Sequence, residues 1–241
     1  MKRFTTALVV LALAGAARRA QAQVLLGYLA GDALSSEQFN IGFDVGMNIG
    51  TITGLGSADR VKPALFGLFG DWRFSDHVHL GVGLLPISGR GAANVPPQPL
   101  NDPALDPLIA GGTMTRKLSV IDVPIVLRWA PKKFTGIRVG AGPQFGFVTG
   151  AHDRYTAQGS SGTPVVVEQD IGGGIANVDV GVAFDVEWRF PMLAIGVRYV
   201  HGLTDLGLGA NGAASYSRTI QGSGRIALGR RNHAAPPANQ R

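Results

Sequence analysis

His77 and His79 stand two residues apart, so on a strand both would project from one face, a spacing at which two imidazoles can share a metal. No third ligand is identifiable, and the adjoining Ser75-Asp76 turn makes a wet rim the ordinary setting for the pair, so no metal is expected. His152-Asp153, and His201 with Asp205, fall in or near polar connections where loop polarity accounts for them. Ser223 has no histidine near it in sequence to act as a base, and any such partner would have to come from a distant strand. Asp185, Glu187 and Arg189 alternate along one stretch, and such charges more often pair as structural filling than act as an acid–base cluster. Gly172-Gly173-Gly174 and Gly207–Gly212 lack the strand–turn–helix setting and the following Lys of a phosphate loop. The chain has no cysteine, which excludes a disulfide framework and thiolate chemistry. The expectation is no enzyme, no cofactor and no catalytic residue.

The elements that position these residues have a period of two. From Phe39 to Gly50 the odd positions are Phe, Ile, Phe, Val, Met and Ile, and the even ones Asn, Gly, Asp, Gly, Asn and Gly. From Asn177 to Phe190 the even positions Val178, Val180, Val182, Phe184, Val186 and Trp188 are apolar, against small or charged neighbours. Six further stretches follow the same pattern: Ala64–Phe74, His77–Ile87, Leu118–Trp129, Gly136–Val148, Leu193–Val200 and Arg218–Leu228. Val165–Asp170 is a possible extra piece inside a long connection, so eight strands are expected and ten are possible. Pro124 and Pro143 interrupt two of the stretches, and each is a candidate bulge because proline cannot donate to a ladder.

Charge obeys the parity. Asp44, Asp71, Asp122, Asp179, Asp185 and Glu187 fall on the polar face, as do Arg73, Arg128, Arg138, Arg189, Arg198 and Arg225. Only Arg218, at a strand end, breaks the rule. Arg at the lipid-facing midplane of a barrel costs about 2–4 kcal/mol, so such segregation is what a membrane wall requires. Six acids against six bases suggest an internally paired lining, structural or pore-facing, rather than a one-signed channel.

Alternation alone does not say which face points inward, and a lipocalin-like soluble barrel would turn the apolar face in. Three features favour the membrane version. The polar face is mostly glycine and balanced charge. Connections alternate between tight (75–76, 130–135, 191–192) and long (51–62, 88–117, 149–176, 201–217), the pattern of short periplasmic turns and long outer loops. Trp72, Trp129 and Trp188 all end strands just before the tight turns, as an interfacial aromatic girdle would. The expected fold class is all-β: a closed antiparallel up-and-down transmembrane β-barrel in the bacterial outer membrane.

The chain has 241 residues and 35 glycines, with charged residues at only 16%. Its start reads as a cleaved signal peptide over 1–22: Lys2 and Arg3, an apolar run from Phe4 to Ala17, then Ala20-Gln21-Ala22. Four of the 22 basic residues lie in it and none of the 16 acidic ones, so the remainder carries 18 against 16, a net +2 rather than +6. The basic pI therefore gives no ground for a nucleic-acid partner. The remaining division is a periplasmic lead-in over 23–38, the barrel over 39–230 and a polar tail over 231–241.

Gly31–Phe39, Ile121-Asp122-Val123-Pro124-Ile125-Val126-Leu127-Arg128-Trp129, Gly140-Ala141-Gly142-Pro143 and Val180–Gly202 with its ending Arg198-Tyr199-Val200-His201-Gly202-Leu203-Thr204-Asp205 are together similar to the PorT-like, porin-family outer-membrane β-barrel proteins. The resemblance covers most of the mature chain and implies location and fold, not a reaction. One departure is the end: such barrels commonly close on an aromatic, and here Leu228-Gly229-Arg230 leads into the polar tail. The leading expectation is a non-enzymatic barrel with a filled, salt-bridged interior and a structural or surface-binding role. A small porin and a lipid-modifying enzyme are the alternatives. Outer-membrane lipid, the barrel-assembly machinery and a surface ligand at the outer loops are the expected partners.

Overall fold

In the computed structural model the period-two stretches become strands that close on themselves. The structure describes residues 36, 38–56, 58–100, 102–159, 162–190 and 193–228. The signal peptide, nearly all of the lead-in and the tail lie outside the described residues. The strands are β1 (Phe39–Ile52), β2 (Asp59–Arg60), β3 (Ala64–Arg73), β4 (Val78–Val95), β5 (Thr113–Trp129), β6 (Ile137–Gln158), β7 (Pro164–Asp170), β8 (Val178–Arg189), β9 (Leu193–Gly202) and β10 (Ser217–Leu228). A four-residue helix, α1 (Asp106–Ile109), sits in the β4–β5 connection.

Eight of the ten strands form the ring. β1 pairs with β3 on one side and β10 on the other, and the circuit runs β1-β3-β4-β5-β6-β8-β9-β10, every pairing antiparallel. Closure leaves no open edge for lipid to meet, which is the condition for a sheet to span a bilayer. The other two are accessory: β2 pairs only with β4 at Ala92 and Ala93, and β7 only with β6 over 152–158. The extended piece at Val165–Asp170 is therefore real but stands outside the ring.

Neither proline marks a bulge. Pro124 stays in register with Gln144, and Pro143 with Val182. The register shifts fall elsewhere, at Phe66/Leu68, Leu85/Ser88, Ala92/Val95 and Ser119/Val120. The missing N–H is met by interrupting a pair rather than by inserting a residue: the β5–β6 ladder passes from Pro124↔Gln144 to Leu127↔Ala141.

The apolar parity faces outward. Val45, Phe66, Leu84, Leu127, Phe184, Val186, Ile195 and Val197 are all exposed, while their alternates Asp44, Leu65, Leu85, Val126, Ala183, Asp185 and Arg198 are buried. A closed ring with an aliphatic outer belt and charge inside is the reverse of a soluble barrel, which disposes of the lipocalin-like reading.

Three strands run well past that belt. β4, β5 and β6 are 18, 17 and 22 residues long, where the alternation predicts about a dozen each. Along β5 the outward residues change from Ile121, Val123, Ile125 and Leu127 to Thr113, Thr115, Lys117 and Ser119. The inward ones change from Asp122 and Arg128 to Met114, Leu118 and Val120. β6 behaves alike, with His152, Arg154 and Thr156 exposed and Ala151, Tyr155 and Ala157 buried. Amphipathicity thus inverts where the wall leaves the bilayer. Above that level the inward apolar side chains, with Ile52 and Val95 at the ends of β1 and β4 and Leu55, Ile109, Leu206 and Leu208 from the long connections, form a hydrophobic core that caps the barrel.

Candidate functional site

The interior below the cap is a ladder of ion pairs built by inward residues on facing strands. At its periplasmic end Asp71 on β3 accepts from Arg138 (2.8 Å) and Arg189 (2.9 Å), with Arg128 at 3.5 Å. Glu187 accepts from Arg225 at 2.7 Å and lies 3.5 Å from Arg189 and 3.8 Å from Arg138. Arg225 also donates to Asp44 at 3.0 Å and stands over the Phe69 ring at 5.5 Å. Arg128 reaches Asp185 at 2.7 Å through Nη2 and at 3.2 Å through Nε, and Arg198 adds a contact at 3.4 Å while donating to Gln221. Higher up, Arg90 donates to both Asp122 and Asp179, and the hydroxyls of Ser88 and Ser217 donate to the same two carboxylates. Inside the cap a further buried pair forms: Arg116 holds Asp153 and donates to the Leu208 carbonyl at 2.8 Å.

Eleven of the twelve charges that the parity assigned to the polar face meet in this ladder. Arg73 does not: it is exposed. It is the last residue of β3, at the periplasmic mouth, where the sheet no longer encloses a side chain and water reaches the guanidinium. Arg90 takes its place, so six acids still face six bases. The alternating stretch ends at Ile87 and Arg90 falls in the long connection over 88–117; the parity of Val78, Leu80, Val82 and Leu84 carried onward would turn it outward. The register shift between Leu85 and Ser88 turns it inward. Arg116 and Asp153 lie in strand extensions, inside the stretches 88–117 and 149–176 that the sequence predicts as long connections. The signal available was Thr-Met-Thr-Arg-Lys-Leu-Ser at 113–119, an alternation with the polar side facing out.

The space left between these groups is small. A cavity of about 10 Å³ is bounded by Asp44, Leu65, Asp185, Glu187, Arg198 and Arg225, and another of about 10 Å³ by Phe69, Asp71, Glu187 and Arg189. One ordered water needs roughly that much. The inward glycines leave less room than their count implies. A Cβ on Gly46 would lie 2.0 Å from the Gly222 carbonyl oxygen, and one on Gly142 would lie 2.0 Å from that of Ile125. At Gly140 and Gly146 it would meet the guanidinium stems and carboxylates of the ladder. Glycine is needed there because a neighbour already occupies the space.

The other candidate residues do not assemble into a reactive site. His79 is buried 3.9 Å from Asp71, whereas His77 is half-exposed with Nδ1 3.1 Å from the Ala130 carbonyl. Both line an open periplasmic cavity of about 450 Å³, but no group of three metal-ligating side chains forms among the described residues. His152 and Asp153 point to opposite sides of β6. His201 faces outward against the Tyr199 hydroxyl at 3.1 Å, and Asp205 is occupied by loop backbone. Ser223 lines the interior cavity beside Asp44, Asp185 and Arg198, and the residues lining that cavity include no histidine. Trp72, Trp129 and Trp188 are each about half exposed at the short-turn rim. Phe39 packs 4.5 Å from Trp72 and Phe190 5.3 Å from Trp188.

Residues 20–207 match the family described as outer membrane protein beta-barrel domain. The chain belongs to that family. The barrel resides in the bacterial outer membrane, as the outward aliphatic belt requires. Among solved structures it is similar to Ail, the attachment invasion locus protein of Yersinia pestis, crystallised with the heparin analogue sucrose octasulfate: 8% identity, 79% of this chain and 99% of that one, TM-score 0.42. Neisserial surface protein A is similar at 11% identity over 79% and 97%, TM-score 0.37. OprG from Pseudomonas aeruginosa is similar at 10% identity over 79% and 94%, TM-score 0.32. No curated protein matches the sequence.

Proposed function

We propose that this outer-membrane barrel is a non-enzymatic protein with a filled interior, which holds the long outer connections in fixed positions at the cell surface for a structural or surface-binding role. The observation that carries the reading is the six-against-six ladder with cavities of about 10 Å³ between its members. An eight-stranded interior is just wide enough for side chains to fill. The hydrophobic cap, in which Leu55, Met114, Tyr155 and Leu206 are almost fully buried, supports it further, because a water path would have to cross that core. Ile121–Trp129 and Arg198–Asp205 support placing the barrel with the PorT-like members of its class. Outer-membrane lipid around the belt and the assembly machinery during insertion are the partners this reading assigns, together with a surface ligand at the outer connections.

Conductance tests it. The refolded barrel, with folding verified by a heat-dependent mobility shift, is expected to show no reproducible single-channel steps in a planar bilayer. Stable steps would replace this reading with that of a small porin.

A further inference from the structure

The wall has a gap on its outer half between β3 and β4. Their pairing ends at Leu65↔Ser88, and β4 next pairs on that side at Arg60↔Ala92. Val61–Pro63, in between, bonds to β1 instead: Gly50 N–H donates to the Val61 carbonyl and Asn48 N–H to that of Pro63. The gap opens a lateral cavity of about 640 Å³ in the outward face. Its floor is apolar, with Pro63, Ala64, Ile87 and Leu118, and its rim carries Arg60, Lys62 and Lys117. All three cations are exposed, and none is within 4 Å of a carboxylate among the described residues. The cavity contributes no acid of its own: the nearest in sequence, Asp59, accepts from Asn94 at 2.7 Å.

Its level in the membrane matters. Below the opening the outward residues are Phe66, Leu68, Leu84 and Ile121; above it they are Lys117, Thr115 and Thr113. The cavity therefore straddles the height at which the wall changes from hydrocarbon-facing to water-facing, on the side of the long connections. We propose that it is a lipid site: the phosphorylated glycolipid of the outer leaflet seats an acyl chain along Ile87 and Ala64 and places its headgroup phosphate among Arg60, Lys62 and Lys117. An anionic headgroup supplies the countercharge that the protein lacks there, and an apolar floor suits an amphiphile better than a free anion. The site is independent of whether the interior conducts.

The full chain, refolded in phosphatidylcholine vesicles containing one part in twenty bisphosphorylated lipid A, is extracted in mild detergent and its bound lipid is read by native mass spectrometry. About one lipid A per barrel is expected. Arg60→Gln/Lys62→Gln/Lys117→Gln should lower occupancy at least tenfold, and Lys132→Gln/Lys133→Gln at the periplasmic rim should leave it unchanged. Lipid A with both phosphates removed should bind at least tenfold less. Should the triple variant fail the heat-shift test for folding, Lys117→Gln alone is expected to cost at least threefold. Wild-type retention by whichever of the Arg60/Lys62/Lys117 and Lys117 variants folds, equal binding of the dephosphorylated lipid, or full displacement by 10 mM inorganic phosphate would overturn the proposal.

Discussion

Arg225→Met probes whether the interior is dry. In the folded barrel Arg225 lies between Asp44 at 3.0 Å and Glu187 at 2.7 Å, and its side chain is 8% exposed. Glu187 would retain Arg189 at 3.5 Å and Arg138 at 3.8 Å. Asp44 has no other ion-pair partner among the described residues, and its second carboxylate oxygen already lacks a hydrogen bond. The substitution thus orphans one buried carboxylate, which costs about 3–5 kcal/mol when the site is sealed from water. At about 1.4 kcal/mol per decade that is a shift of roughly 10²–10³·⁵ in the folding equilibrium. Urea titration in lipid vesicles, followed by tryptophan fluorescence and the heat-shift band, measures it directly. The double variant Asp44→Leu/Arg225→Met removes both charges and should recover most of the loss, because replacing a whole buried pair by apolar groups is often close to neutral. A loss below about 1 kcal/mol for the single variant, in the range of solvated pairs, would show that water reaches the ladder and would refute the filled interior.

Two further outcomes follow from the wall and from the loops. Val186→Arg, at an outward position of β8 that is 54% exposed to lipid, should cost about 2–4 kcal/mol in the same titration, whereas Arg73→Gln at the mouth should stay within about 0.5 kcal/mol. Asp205 is held below the usual carboxylate range by the backbone N–H groups of Ser215 (2.9 Å) and Gly207 (3.0 Å). Because the folded pKa is depressed, the order it gives the β9–β10 connection is present above about pH 4, the ordinary aspartate value, and is lost as pH falls through the lower folded value. Hydrogen-exchange protection at 203–216, taken relative to the intrinsic rate at each pH, should therefore fall below pH 4 in the native chain, and Asp205→Asn should leave it low and flat with pH.

The wall was legible in the sequence because lipid enforces a strict rule there. Wherever hydrocarbon touches a strand every second residue must be apolar, so Phe39–Gly50 and Asn177–Phe190 announce both their secondary structure and their inward charges. Legibility failed where that rule lapses. Arg90 lies beyond Ile87, where the alternation stops, and the register shift that turns it inward has no reliable mark in composition. The extensions of β4, β5 and β6 look like loops in the sequence because their outer faces meet water, so the apolar residues change sides and the contrast weakens. Ion-pair partners such as Asp71 with Arg138 and Arg189 were visible as a balanced set but not as pairs, since strand alternation fixes facing and not height around the ring.

β6 carries 22 residues without a break, of which 11, Ile137–Phe147, pair with the membrane wall at β8. At about 3.4 Å per residue and a tilt of about 40°, the remainder rises on the order of 25–30 Å above the hydrocarbon. It is braced on one flank by β5 and on the other by β7. Such a projection acts as a mast rather than a tether. A load applied at its tip is transmitted along the strand axis and sets many interstrand hydrogen bonds in shear at once, instead of peeling them one at a time. Whatever engages the tip therefore pulls on the barrel itself.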